Sequence, residues 1–228
     1  MSARVGVLHT VPGLVPVFQD LLTSHRSDLE IVHTVDPTLL SRAVETGITA
    51  DVDADLRVHL AALRDAGAEA VLVTCSSIGE ATVEAAGTVG IPLVRVDAAM
   101  AKAAAERASA GSGRILVLAT LAATLRPTGR LVEAEAASHE GIDVTSLVVA
   151  GAAATRSAGD QARHDELIAA AIEQAGEVDV IVLAQASMAT GAGDDPRVLT
   201  SPASGSAAFL AALDDVSAVR APRARMRG

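Results

Sequence analysis

The sequence predicts an α/β protein made of two similar parallel-sheet, Rossmann-like lobes related by pseudo-two-fold symmetry, with the active site in the cleft between them. Three observations support this fold class. Short apolar runs alternate with helical patterns along all 228 residues, which is typical of parallel sheets covered by helices on both faces. A glycine-serine stretch at residues 110–113 interrupts the alternation midway, and the second half then repeats the first at a constant spacing.

The predicted strands and helices follow one another in a regular order. Runs rich in valine, leucine and isoleucine predict strands at residues 5–8, 29–33, 70–74, 93–96, 115–119, 144–149 and 178–184. Apolar residues three or four positions apart predict helices at residues 14–24, 53–66, 78–86, 98–109, 124–137, 162–175 and 206–213. We interpret Asp51, Asp53 and Asp55 as a solvated helix start, because the glycine and glutamate of a calcium loop do not follow them.

Two segments of the first half recur in the second half at the same distance. Residues 4–10 align with 114–120 and residues 69–77 align with 179–187, a spacing of 110 in both cases. This spacing places Gln185 at the position of Cys75. We therefore predict a first lobe over residues 1–110, whose last helix can pack on the other lobe, and a second lobe over 111–228. Residues 221–228 are predicted to form a flexible tail.

Composition argues against several classes of protein. The formal net charge is −10, which disfavours a nucleic-acid surface. Phe18 and Phe209 are the only aromatic residues, so a pocket that stacks nucleobases, flavins or aryl groups is not expected. No apolar stretch is long enough to span a membrane, and the first residues lack the pattern of a secretory signal. A single cysteine fits a reducing compartment, so we expect a cytoplasmic protein.

That cysteine, Cys75, directly follows a buried apolar run. Ser77 with Glu80 three residues later predicts a capping box at the start of the next helix. The thiol is therefore expected between a strand end and the first amides of a helix, whose partial positive charge favours a thiolate. The alternative is that Cys75 is a small buried hydrophobe, as free cysteines often are.

Hydroxyl-bearing residues follow several of the predicted strands. Hydroxyls and free amides at helix starts can hold a carboxylate, or can simply cap the helices. His9 is either an acid or base or a donor to a backbone carbonyl, and the other histidines show no metal-ligand pairing. No glycine-rich phosphate loop or nucleophile elbow is present, so we expect neither a cofactor nor a metal. The hydroxyl-bearing candidates are Thr10, Ser76, Ser77, Thr120, Thr124, Ser187, Ser201 and Ser204.

Four segments resemble the aspartate/glutamate racemase superfamily, which includes amino-acid and hydantoin racemases, maleate isomerase and arylmalonate decarboxylase. They are VLHTVP at residues 7–12, VLVTCSS at 71–77, VIVLAQASM at 180–188 and LTSP at 199–202. The resemblance covers nearly the whole chain. It implies two α/β lobes with the active site between them, and a homodimer or higher homo-oligomer.

The resemblance also assigns roles to individual residues. Two-base members of the superfamily use one cysteine from each lobe; the first matches Cys75, whereas the second falls on Gln185, which does not transfer protons at ordinary pH. By resemblance, Ser76, Ser77 and Thr120 would bind the substrate carboxylate or its enediolate, and Pro12 would shape the pocket. The one-cysteine decarboxylase keeps its thiol in the second lobe, so its activity does not carry over directly.

We therefore expect a cofactor-independent isomerase or racemase that acts on a small carboxylate through Cys75. Thr10, Gln185 and Ser187 complete the expected substrate-binding set. A maleate isomerase-like attack by the Cys75 thiolate on an alkene is an equal variant of this hypothesis. One alternative is a lyase, such as a decarboxylase, with one-sided protonation by Cys75. Another is a non-catalytic carboxylate-binding or sensor protein on the same scaffold.

Overall fold

The computed structural model describes the backbone of residues 3–225 and the side chains of residues 3–215. The strands are β1 Arg4–His9, β2 Glu30–Val35, β3 Val71–Val73, β4 Leu93–Arg95, β5 Arg114–Ala119, β6 Asp143–Val148, β7 Val180–Leu183 and β8 Val198–Thr200. The helices are α1 Val15–His25, α2 Pro37–Thr46, α3 Ala50–Asp65, α4 Gly79–Val89, α5 Ala98–Ser109, α6 Ala122–Ala136, α7 Ala152–Ser157, α8 Gln161–Glu173 and α9 Ser201–Arg225.

The described strands form two parallel sheets with the same topology. The strand order is β2-β1-β3-β4 in the first sheet and β6-β5-β7-β8 in the second. The two-lobe α/β fold predicted from the sequence is confirmed. Because β3 and β7 hold the same position in their sheets, Cys75 and Gln185 follow equivalent strands.

Side chains from both faces of the first sheet are buried, which explains why its strands are apolar at successive positions. Leu8 and Val73 pack with Leu56 and Leu60 of α3 on one face. On the other face Val7 packs with Phe18 of α1. Two covered faces are the usual environment of a parallel sheet.

Two helices pack on the sheet of the opposite lobe. Met100 and Ala104 of α5 lie in the core that covers the second sheet, although α5 precedes that sheet in the chain. Phe209 of α9, from the end of the chain, lies in the core of the first sheet. The approach of α9 is close, since a Cβ on Gly205 would lie 2.3 Å from the carbonyl oxygen of Val96. The boundary at residue 110 stays a prediction.

Some elements differ from the sequence prediction. The elements α2, α7 and β8 were not predicted, and α9 begins at Ser201 instead of residue 206. The short α2 starts with Asp36, whose side chain accepts from the Thr38 amide, followed by a proline at the first helical position. Its buried residues Leu39 and Ala43 are four positions apart, so the apolar pattern of a helix is present in the sequence and could have been found. The solvated start predicted for α3 is confirmed by Asp51 and Asp53 in its first turn.

The predicted capping box at α4 is wrong. Residues Ser76–Ile78 form a 3-10 turn, and α4 begins at Gly79 with no side chain capping it. The side chains of Ser77 and Glu80 instead contact residues of α6 in the other lobe. A capping pattern in the sequence takes account only of residues that are close in the chain. In the structure Ser77 and Glu80 contact residues of the other lobe instead.

Two further predictions concern a flexible C-terminal tail and the absence of a membrane-spanning segment. The flexible tail predicted at 221–228 lies beyond the last described side chain; α9 is helical to Arg225, and residues 226–228 are outside the described part. Within the described residues, no helix has the length and apolar character needed to cross a membrane.

Candidate active site

A narrow cavity of about 30 Å³ lies between the lobes, where β1, β3 and β7 end. This volume is well below the range of small-molecule sites, so a substrate can enter only if the cleft widens. Among the residues that line it, Cys75 is the only one with a titratable side chain. The lining residues are Thr10, Val11, Leu14, Leu40, Thr74, Cys75, Ser76, Ser77, Thr124, Gln185, Ala186 and Ser187.

The Cys75 thiol is held in its protonated form. Cys75 is partly exposed as a residue, but burial of the sulfur dominates and raises its pKa. The Thr10 hydroxyl, the backbone amides of Ile78 and Ser77 and the Ser77 hydroxyl act in the opposite direction, although they do not outweigh the burial. The amides predicted to favour a thiolate are therefore present and lower the pKa of Cys75, but burial of the sulfur has the larger effect.

The Thr10 hydroxyl lies beside the Cys75 sulfur. Thr10 is 2 % exposed, and its Oγ1 has no oxygen or nitrogen partner among the described residues. A buried hydroxyl without a partner is costly, so it points to a ligand group that would complete it.

Gln185 is held by the equivalent threonine of the second lobe. Its Oε1 accepts from the backbone amide of Thr120 at 2.6 Å and from the Thr120 hydroxyl at 2.8 Å. Two donors on the oxygen fix the orientation of the amide, so Nε2 is the end left for other contacts, and it has no partner in the described residues. Gln185 therefore brings a hydrogen-bond donor to the cavity, and no base.

The two serines after Cys75 tie the lobes together. Ser76 Oγ donates to the carbonyl oxygen of Ala184 at 2.9 Å, and Ser77 Oγ lies 2.8 Å from Thr124 Oγ1. Both hydroxyls are buried in inter-lobe contacts, so the Ser76 proton is not available to a ligand. Their predicted carboxylate-binding role would have to rest on backbone amides, because a carboxylate only accepts hydrogen bonds.

An exposed ion pair crosses the lobes near Ser77. Arg130 of α6 donates to Glu80 of α4 through Nε at 3.1 Å and Nη2 at 2.5 Å, and this pairing raises the pKa of Arg130. A larger cavity of about 380 Å³, lined by both lobes, contains this pair and shares Ser77 with the Cys75 cavity. We call it the vestibule.

A further pocket of about 530 Å³ adjoins the Cys75 cavity through Leu14, Ala186 and Ser187. Its one cationic lining residue is Arg156 of α7, half-buried, with a pKa lowered by burial. Arg156 donates to Gln161 Oε1 at 3.2 Å and to the carbonyl oxygen of Ser187 at 3.3 Å. No carboxylate of the described residues lies within ion-pair distance of it. We call this space the side pocket.

The structure brings most of the predicted site residues together. Thr10, Cys75, Ser76, Ser77, Gln185 and Ser187 line the cavity. Thr120 reaches it through Gln185, whereas exposed Pro12 only begins the 3-10 turn that carries Leu14. Their roles stay predictions.

Other residues of the site were not found from the sequence. Leu40 and Arg156 lie on the unpredicted α2 and α7, and no motif marked either of them. Thr74 could have been found from its position beside Cys75. No group of three or more His, Cys, Asp or Glu side chains suited to a metal ion occurs within residues 3–215.

Comparison with protein families gives one match over most of the chain. Residues 19–212 match the sequence model of the Asp/Glu/Hydantoin racemase family. A search of curated protein sequences found no match.

Several solved structures have a similar fold. An aspartate racemase from Picrophilus torridus superposes with a TM-score of 0.71 at 16 % identity, covering 93 % of this chain and 95 % of that one. A glutamate racemase from Bacillus anthracis gives 0.67 at 16 % identity, with coverages of 94 % and 82 %. A Gly74Cys mutant of arylmalonate decarboxylase in a sulfate-associated form gives 0.53 at 21 % identity, with coverages of 94 % and 93 %. At these identities the likeness shows the fold.

Proposed function

The chain belongs to the Asp/Glu/Hydantoin racemase family, and from this premise we propose that it is a cofactor-independent isomerase or racemase that acts on a small carboxylate through Cys75. One observation carries the proposal. Cys75 is the only titratable side chain lining a cavity between the lobes, and the polar groups around it are hydroxyls and amides. Such groups bind a carboxylate and its enediolate without adding a second base.

Binding of the carboxylate in this cavity relies on neutral donors. The donors are Gln185 Nε2, the Thr10 hydroxyl, which has only the sulfur beside it, and the backbone amides of Ser77 and Ile78 that point at the sulfur. Hydrogen bonds from neutral donors to an anion are short and strong when water is excluded. The same donors stabilise the additional negative charge that develops when the carboxylate becomes an enediolate.

Proton transfer in this site comes from one side. The raised pKa makes Cys75 an acid at rest, and Gln185 at the equivalent position of the other lobe has no proton to exchange at neutral pH. An isomerase of this design has to remove and return the proton with a single sulfur. The resting thiol also disfavours the variant in which a thiolate attacks an alkene.

A lyase is the second candidate, and the protonated thiol is the observation that favours it. When a carboxyl group leaves as CO₂, the electron pair of the broken carbon–carbon bond stays on the enediolate. The Cys75 S–H then protonates the α-carbon, and the sulfur is left as a thiolate that solvent has to reprotonate. Such a reaction needs one acid and no base, which is what the cavity offers.

The substrate is expected to extend beyond the Cys75 cavity. The side pocket begins at Ser187 and has mostly apolar walls with Arg156 as its cation. We therefore place an apolar part of the substrate along Leu14 and a hydrogen-bond acceptor or acidic group at its far end near Arg156. Asp165 interacts with this half-buried guanidinium through charge alone, so an acidic group of the substrate would be its closest anionic partner.

The test is turnover of small dicarboxylates, hydroxy acids and hydantoins by wild-type protein and by Cys75→Ala, in deuterated water. We expect Cys75→Ala to lower turnover at least about 100-fold, the lower end of what a positioned acid or base contributes. Deuterium entering both enantiomers would support the isomerase. A single-handed deuterated product, with no later exchange, would support the lyase.

Full turnover by Cys75→Ala would sink the catalytic role of the thiol. Binding of carboxylates without any turnover by the wild type would instead indicate the non-catalytic alternative. Thermal unfolding of the variant, compared with that of the wild type, shows whether the substitution has disturbed the fold.

A further inference from the structure

The side pocket contains a positive charge without a matching negative one. Arg156 is the only charged residue among those that line it. Asp165 of α8 acts on Arg156 through its charge, but it does not line the pocket, and the two residues form no ion pair within the described part of the chain. The structure therefore has to hold these two charges apart.

Gln161 lies between the two charges. Its Oε1 accepts a hydrogen bond from Arg156 Nη1 at 3.2 Å, and its Nε2 donates to Asp165 Oδ1 at 2.8 Å. A flipped amide would set two donors against each other at Arg156 and two acceptors against each other at Asp165, so the partners fix the orientation of the amide. One neutral side chain thus separates the guanidinium from the carboxylate.

Asp165 has other donors in place of Arg156. Its Oδ1 also accepts from Thr190 Oγ1 at 2.8 Å and lies 3.0 Å from His164 Nδ1. Burial acts to raise the pKa of Asp165, but the hydrogen bonds from His164, Thr190 and Gln161 outweigh it, and the pKa is lowered. The carboxylate is therefore stabilised in its charged form without the guanidinium.

One edge of the Arg156 guanidinium is left for a ligand. Its hydrogen bonds use Nη1, whereas Nε and Nη2 have no partner among the described residues. Arg95 holds Asp97 with this same edge, through Nε at 2.9 Å and Nη2 at 2.8 Å. Arg197 holds Asp195 in the same way. The edge suits a carboxylate, because its two parallel N–H groups match two oxygens.

The equivalent helix pair of the first lobe does form an ion pair. Helices α2 and α3 lie between the first two strands of the chain and β3, as α7 and α8 lie between β6 and β7. Arg42 of α2 pairs with Asp55 of α3 at 2.6 Å. The second helix pair also carries an arginine followed by an aspartate, but the Gln161 amide stands between them. The helix pair itself therefore does not require the two charges to be separated.

We propose that Gln161 is a specificity-determining residue that holds Arg156 away from Asp165 and so reserves its free edge for an acidic group of the ligand. The inference rests on the proposed function in one respect, namely that this ligand is the substrate. With one carboxylate at Cys75 and a second acidic group at Arg156, the selected substrate is a dianion. Gln161 acts through Arg156 and is a positioning residue.

The test begins with Gln161→Met, which keeps the length of the side chain but removes its hydrogen-bonding amide. Arg156 and Asp165 can then form the ion pair that the amide prevents. We expect the preference for dicarboxylic over monocarboxylic acids to fall about 10-fold, the lower end of what a hydrogen bond to a charged group contributes. Protection of Cys75 from alkylation by linear dicarboxylic acids, and by monocarboxylic acids of the same chain lengths, measures this preference.

A second substitution separates this role from a structural one. Asp165→Asn keeps the oxygen that accepts hydrogen bonds but removes the charge, so alone it should leave the preference in place. In the double variant Gln161→Met with Asp165→Asn, Arg156 has no carboxylate to turn to, and the preference should return. Gln174→Met is the matched control, since Gln174 follows the same helix but does not line the side pocket.

Gln161→Glu provides a further check, because it places a carboxylate oxygen directly beside Arg156. The preference for dicarboxylic acids should be lost there as well, and Asp165→Asn should not restore it. In turnover assays Gln161→Met should raise the KM of a dianionic substrate and leave kcat unchanged.

Equal protection by both classes of acid in the wild type would overturn the inference, as would an unchanged preference in Gln161→Met. Equal losses in Gln161→Met and in the double variant would also overturn it, since Gln161 would then only support the packing of α7 on α8. Failure of the proposed function is distinguishable, because protection is measured without turnover. In that case Cys75→Ala would retain turnover while the protection pattern of the wild type persisted.

Discussion

The two lobes have the same strand order and register, yet they differ at the positions where their central strands end. The first lobe places Thr74, Cys75 and Ser76 there, and the second places Ala184, Gln185 and Ala186. Equivalent backbone positions therefore carry a thiol in one lobe and an amide in the other. The topology determines which positions face the cleft. The type of side chain at each position determines whether that half of the cleft provides an acid or only a hydrogen-bond donor.

The paired threonines show the same difference in finer detail. Thr10 and Thr120 hold equivalent positions after β1 and β5. The Thr120 hydroxyl donates to Gln185, whereas the Thr10 hydroxyl has only the sulfur of Cys75 beside it. One threonine thus orients an amide, and the other is left to stabilise charge on the sulfur or on a ligand.

The largest effect on α-proton exchange is expected when both lobes carry a cysteine at the equivalent position. Gln185→Cys places a second thiol opposite the first, so the α-proton can be removed on one face and returned on the other. We expect α-proton exchange on both enantiomers of a substrate or product to rise about 100-fold, as for an added acid–base group. Gln185→Ala, which adds no thiol, should show no rise; an equal rise there would contradict the interpretation.

The next largest effect is expected at Arg156, on the binding of ligands with a second acidic group. Arg156→Gln removes the charge of the side pocket, so binding of ligands that carry a second acidic group should weaken roughly 10- to 100-fold, the scale of a hydrogen bond to a charged group. Protection of Cys75 from alkylation by mono- and dicarboxylic acids of equal length measures this difference. Protection by monocarboxylic acids should not change. An identical loss for both ligand classes would argue against a role for Arg156 in the side pocket.

The equivalent threonines should respond differently to valine. In Thr10→Val the thiolate loses a donor, so the pKa of Cys75 rises further and alkylation at a fixed pH slows about fivefold, the scale of one hydrogen bond. The pH–rate profile should shift to higher pH. Thr120→Val is the control, since its hydroxyl contacts Gln185; a shift of equal size there would contradict the pairing described above.

The smallest effect is expected at the ion pair between the lobes. Glu80→Gln weakens an exposed contact with Arg130, which is worth at most about 1 kcal/mol. If this pair restrains the cleft, its loss should make alkylation of Cys75 up to about fivefold faster. The difference in rate between variant and wild type should disappear at high salt, because salt screens the wild-type pair as well. Glu166→Gln removes the exposed pair with Arg163 within one lobe and should leave the rate unchanged. No change in Glu80→Gln would show that this pair does not restrain the cleft.

The sequence was most informative about positions along the chain. The common spacing of 110 residues identified Gln185 as the counterpart of Cys75, and the equal places of β3 and β7 in their sheets agree with it. The ends of strands can be predicted from the sequence because apolar runs have sharp boundaries. The residues at those ends therefore entered the candidate list before any contact between them was known.

Contacts between the lobes could not be predicted from the sequence in the same way. Ser77 and Glu80 fit a local helix cap, but each has its partner on α6, more than one element away in the chain. The direction of the Cys75 pKa depends on how deeply the sulfur is buried, and burial is a property of the assembled cleft. Arg156 was missed because α7 is too short to show a helical period.

The crossing of α5 and α9 has a consequence for how such a protein can be divided. A chain cut after residue 110 would carry a first sheet without Phe209 and a helix whose apolar side, at Met100 and Ala104, had lost its sheet. Each half could complete its core only by receiving a helix from a second copy. The intact fold thus has the helix arrangement of a swapped dimer joined into a single chain.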